Sequence, residues 1–105
     1  MDLYQTNVSD EALFLKMTQG DRHAEAILFH RYQHTGIMYF YNQIRITDLH
    51  NYKESDFIEV IDDAIYKAFR YYHFCESKFY SFCLTLLKQN ITRAINNLYE
   101  ENIRN

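Results

Sequence analysis

Five histidines, two cysteines and a scatter of carboxylates are the side chains of this 105-residue chain with chemistry to offer, and their spacing limits what each can do. His23, His30 and His34 share one face of a helix. His30 and His34 stand four residues apart, the step that lets two imidazoles clasp a metal. Glu25, or His50 in a later loop, would have to supply the third ligand. No cysteine or carboxylate completes a recognised pattern, so a solvated histidine face is preferred and a metal clasp is the lesser reading. A pH switch has no better support. Asp62 and Asp63 are sequence neighbours and point in different directions on a helix, which makes them poor partners for acid–base work. No serine, cysteine or lysine has an activating setting, and no glycine-rich phosphate loop is present. The expectation is a binding protein: no enzyme, no cofactor, no resident metal.

Binding residues are easier to find. Between Phe57 and Leu98 lie two strongly patterned helices joined by an aromatic hinge, Tyr71-Tyr72-His73-Phe74-Cys75-Glu76. In the first, Phe57, Ile61, Ala64, Ile65, Ala68, Phe69 and Tyr72 recur at three- and four-residue steps and form one buried stripe. Glu59, Asp62, Asp63 and Arg70 fall outside it, so the exposed face is read as largely acidic. In the second, Phe79, Phe82, Cys83, Leu86, Leu87, Ala94, Ile95 and Leu98 face inward, while Lys78, Ser81, Thr85, Lys88, Thr92 and Asn96 give a basic and polar outer face.

The remaining elements follow from caps and breaks. Ser9 is placed to cap a short helix with Asp10 and Glu11 at its positive end and Ala12, Leu13 and Met17 inside; Gly20 closes it in a left-handed turn. Asp21 caps a longer helix with Ala24, Leu28, Tyr32, Ile37, Phe40, Tyr41 and Ile44 inside. Gly36 interrupts it, marking either close packing or a kink. Arg45 to Lys53 reads as a loop. Ser55 or Asp56 caps the third helix; with Asp56 as cap, Glu59 takes the capping-box position. Ser77 caps the fourth, which fades from Tyr99 to Asn105. With no proline, two glycines and 48% apolar residues, the chain is expected to be all-α, one compact bundle of about four helices.

Charge and cysteine usage set further bounds. A net charge of −3 provides no general attraction to nucleic acid, so any such contact needs a local basic patch. Cys75 and Cys83 lack CxxC spacing. With no secretory signal and no membrane-length apolar run, they are read as reduced thiols in a cytoplasmic protein.

Three runs also resemble region two of bacterial sigma factors, particularly the small extracytoplasmic-function type. Gly20-Asp21-Arg22-His23-Ala24, followed by Leu28, Phe29 and Tyr32, is similar to that family's opening G-D-x-x-A and L-Y-x-x-Y. Glu59 through Arg70 is similar to D-L-V-Q-E-V-F-L-R-A-F-R. Phe79 through Leu84, continuing to Gln89-Asn90, is similar to F-R-A-W-L and the asparagine-bearing helix after it. The resemblance spans Ser9 to Leu98, in order and in spacing. Phe82 replaces the family's tryptophan, and Arg93 stands where aspartate is common.

The resemblance implies a module that binds RNA polymerase and recognises and melts the promoter minus-ten region. It puts Glu59, Asp62, Asp63 and Tyr66 on the clamp helices of the polymerase β′ subunit. It puts Tyr71, Tyr72, Phe74 and Tyr80 on the non-template strand of promoter DNA, with Lys78, Lys88 and Arg93 along its phosphates. Because no helix-turn-helix follows, the expectation is a truncated factor or a natural region-two-only protein beside a separate helix-turn-helix subunit or anti-sigma factor. The alternative is a sigma-like regulatory protein that pairs with polymerase or another factor without melting DNA.

Overall fold

A computed structural model describes residues 7–49, 52–73 and 77–104, with side chains through residue 101. Four helices make up the fold: α1 (Asp10–Thr18), α2 (Arg22–Thr47), α3 (Glu54–Tyr71) and α4 (Phe79–Arg104). No strand occurs among the described residues.

The caps explain where the first two helices begin. The Ser9 hydroxyl accepts from the Ala12 amide at 3.1 Å, and one Asp21 carboxylate oxygen accepts from the amides of His23 and Ala24. Gly20 takes φ +94, a left-handed turn that only glycine adopts without strain, and lets α2 start directly after α1. Helix α2 outlasts its expected end. It continues to Thr47 and stops at Asp48, also left-handed at φ 54. The Thr47 hydroxyl donates to the carbonyls of Gln43 and Ile44 and holds this last turn in register.

Two expected caps are not used. Helix α3 starts at Glu54, ahead of Ser55 and Asp56, with Lys53 in the capping position and no side-chain cap. Glu54 and Asp56 in its first turn answer the helix dipole instead. Helix α4 starts at Phe79, two residues past Ser77, whose carbonyl accepts from the Tyr72 hydroxyl at 2.6 Å.

Packing follows the apolar stripes. Helix α3 runs antiparallel to α2: Tyr41 meets Glu54, Phe40 meets Phe57, Gln33 meets Asp62 and Phe29 meets Tyr66. Helix α4 runs parallel to α2, with Tyr32 against Phe79 and Tyr39 against Thr92, and antiparallel to α3. Gly36 resolves as a close-packing site. A β-carbon there would lie 2.8 Å from Ile61 Cγ2 and 3.0 Å from Leu87 Cδ2, so the three long helices cross where one has no side chain.

One continuous core results, running from Leu13 and Phe14 of α1 through Leu28, Phe40, Ile61 and Ile65 to Leu87 and Ile91. Phe14 and Ile91 lie in it beyond the expected stripes, and Tyr41 lies outside it, 40% exposed. Helix α1 is short, and besides Leu13 and Phe14 in the core its first residue ties it to α2. Asp10 accepts from Arg31 Nη1 at 2.8 Å and from the Tyr32 hydroxyl, both on α2.

Candidate nucleic-acid and partner interface

The residues expected to bind strands do not share one surface. Tyr71, at the last turn of α3, is 55% exposed. Tyr72, one residue on, is in the core: 6% exposed, edge-on to Phe14 and Phe79 at 5.1 Å from each. Its ring cannot receive a base, which corrects the expectation for that position. The cause is the stripe itself, which Tyr72 extends by one more turn. Tyr80 is 54% exposed but leans toward Tyr32, at 6.5 Å between ring centroids. Phe74 lies outside the described residues.

Two cations of α4, Lys88 and Arg93, are exposed, and Lys78 is exposed directly ahead of the helix. Lys88 and Arg93 border a shallow depression with Gln89, Thr92 and Asn96. The Lys88 ammonium sits 5.8 Å from the centre of the Tyr39 ring, and the Tyr39 hydroxyl lies 3.4 Å from that of Thr92. Tyr39 thus joins the basic face from α2, a partner that stripe analysis of α4 alone could not reveal.

On α3, Glu59 and Asp63 are exposed, as is Tyr66, whose ring lies over Phe29 at 5.3 Å. Asp62 is different. It is half-buried and accepts from Gln33 Nε2 at 3.0 Å, so it ties α3 to α2 and is not aimed at solvent.

Charge is sorted by the ends of the bundle more than by helix. Helix α3 carries Glu54, Asp56, Glu59, Asp62 and Asp63 ahead of exposed Lys67 and Arg70. Exposed Lys78 directly precedes α4, which carries Lys88 and Arg93 along its middle and Glu100 and Glu101 near its finish. Antiparallel packing then brings the acidic stretches together. Asp56 and Glu101 line one groove at the far end, while Lys67, Arg70 and Tyr71 are exposed where α3 ends and Lys78 is exposed where α4 begins. The expected contrast of one acidic and one basic helix becomes a contrast between two ends.

The titratable groups with altered protonation are structural. Burial raises the Cys83 thiol to about 12, with the Asp10 charge adding to the effect. Burial also raises the Tyr32 phenol, reinforced by its hydrogen bond to Asp10. Cys83 is thus a buried thiol held protonated, without the character of a nucleophile. The exposed Tyr41 phenol is raised by its hydrogen bond to Glu54. His23, His30 and His34 are exposed, and no three metal-ligating side chains converge among the described residues; His50 lies outside them.

Fold and surface together define an all-α four-helix bundle whose α3 and α4 are acidic toward one end and carry cations toward the other. No protein-family model, curated protein or solved structure matches the chain. Among the described residues no helix is long and apolar enough to cross a membrane.

Proposed function

We propose that the chain is a transcription-initiation module of the sigma region-two kind. It docks on the clamp helices of the polymerase β′ subunit through the acidic half of α3 and holds the non-template strand at the hinge end. The observation that carries this reading is the end-to-end polarity. A carboxylate surface formed by Glu59 and Asp63 suits a basic helical hairpin, and such complementarity sets orientation and encounter rate more than affinity. At the other end Lys67, Arg70 and Lys78 offer phosphate contacts beside the exposed ring of Tyr71. An exposed ring compensates an unstacked base by roughly 1–3 kcal/mol, close to the few kcal/mol that extrusion costs.

Tyr72 and Tyr80 favour a second reading. With Tyr72 buried and Tyr80 turned toward Tyr32, fewer rings serve strand capture than the family pattern asks for. A regulator that occupies the clamp, or pairs with a helix-turn-helix subunit or an anti-sigma factor, would need only the acidic end.

Capture of purified polymerase core separates these readings from polymerase-independent DNA binding. The double variant Glu59→Gln with Asp63→Asn is expected to retain several-fold less polymerase. Undiminished capture would leave a DNA-binding helical protein that acts without polymerase.

A further inference from the structure

Beyond the Phe29–Tyr66 contact, α2 and α3 leave a cleft between them. It has a volume of about 480 Å³ and is lined by Arg22, Glu25, Ala26, Phe29, His30 and Tyr66. That size lies within the roughly 300–1,000 Å³ of small-molecule sites. The small side chain of Ala26 leaves space that a longer one would fill. The Tyr66 ring lies over that of Phe29, 5.3 Å away and tilted by 35°, so its outer face forms one wall. Tyr66 is 53% exposed, so its ring is open to a ligand. On the α2 side stand a permanent cation, a carboxylate and an imidazole. The side chains of Arg22 and Glu25 are not paired with each other or with another described residue.

This combination is selective. Glu25 opposes a bare anion, and Arg22 opposes a bare cation. A ligand that satisfies both must carry an anionic group and an N–H donor on one aromatic body. The depression, about 480 Å³ and open to solvent, has room for a base and a phosphate together. We propose that the cleft binds a nucleoside monophosphate whose base carries an exocyclic amine. The base lies on the outer face of the Tyr66 ring, its amine donates to the Glu25 carboxylate, and Arg22 holds the phosphate. The inference does not depend on the transcription reading, since none of it involves the hinge or the basic face of α4.

The test is a titration of the full chain with adenosine monophosphate, followed residue by residue by amide NMR. Shifts are expected at Ala26, Phe29, His30 and Tyr66. Tyr66→Ala removes the ring on which the base lies and is expected to weaken binding about ten-fold. Arg22→Gln removes the phosphate partner and is expected to weaken it by a similar factor, about ten-fold. Both residues are exposed, and an otherwise unchanged amide spectrum verifies that each variant is folded. Purine riboside monophosphate, which lacks the amine and has no N–H on that edge of the base, is expected to bind about five-fold more weakly. Inorganic phosphate alone is expected to leave these four amides unmoved. The proposal is overturned if adenosine monophosphate shifts none of them, or if both variants bind it as well as the parent does. It is also overturned if a short deoxyadenylate strand binds more tightly than the mononucleotide through Arg22 and Tyr66, since the occupant would then be a strand.

Discussion

At the hinge end of the bundle Phe79 is fully buried among Phe14, Tyr32 and Tyr72, while toward the opposite end Phe40 lies 4.2 Å from Phe57 with Tyr52 edge-on to it. The interiors are alike: each end is closed by interlocked rings. The exteriors are opposite. Along α3 and α4, cations and an exposed tyrosine lie at the first, and carboxylates at the second. Equal interiors with unequal exteriors indicate that the rings hold the fold and leave the charge of this face free to vary. Burial of a ring and its use in binding are competing fates, as adjacent Tyr71 and Tyr72 demonstrate.

The largest effects should come from breaking the shared interior. Phe79→Ala and Phe40→Ala are each expected to cost about 3–5 kcal/mol, read by urea denaturation. Costs of similar size would establish the equivalence of the two plugs. A much smaller value for Phe40 would mean that the hinge end alone holds the bundle.

Alkaline titration sharpens the same comparison, because the buried titrating groups surround the hinge-end plug. Cys83 and Tyr32 keep their protons to higher pH in the folded chain than in the unfolded one. Their contribution is therefore complete below the ordinary thiol value of 9.0 and declines as pH rises toward about 12. The parent should lose stability across that window. The double variant Cys83→Ala with Tyr32→Phe should have a flatter profile there, and equal slopes would contradict the assignment.

Between the plugs, Gly36→Ala sets two effects against each other. Alanine gains about 1 kcal/mol of helix propensity, but overpacking against Ile61 and Leu87 costs about 1–3 kcal/mol. The contact methyl on Ile61 belongs to a stiff, β-branched and fully packed side chain, so the cost should prevail. Thermal denaturation should register a modest net loss.

The smallest effect concerns the exterior. Lys78→Ala should lower the salt dependence of single-stranded DNA binding by about 0.7 in log–log slope. Glu101→Gln, at the far end, should leave that slope unchanged.

Much of this architecture was legible in the sequence, for local reasons. The α3 stripe from Phe57 to Tyr72 is regular enough to identify both the helix and its buried face. Ser9, Gly20 and Asp21 carry their capping roles in their side chains or in the lack of one. What was not legible depends on contacts between helices. Gly36 was ambiguous because its β-carbon space is occupied by Ile61 and Leu87 from two other helices. Asp62 resembled its exposed neighbour Asp63 until Gln33 was brought opposite it. The α3 start was misplaced because Ser55 and Asp56 are good caps that the chain enters too early to use. The shared acidic groove was hidden for the same reason: Asp56 and Glu101 are far apart in the chain, and only the antiparallel pairing of α3 with α4 brings them together.

The most direct test of this division between ends is amide NMR of the chain titrated with single-stranded A·T-rich DNA. Shifts concentrated at Lys67, Arg70, Tyr71 and Lys78, with Asp56, Glu59 and Glu101 unmoved, are the predicted result. Shifts centred on the carboxylate end, or none at the hinge, would contradict it.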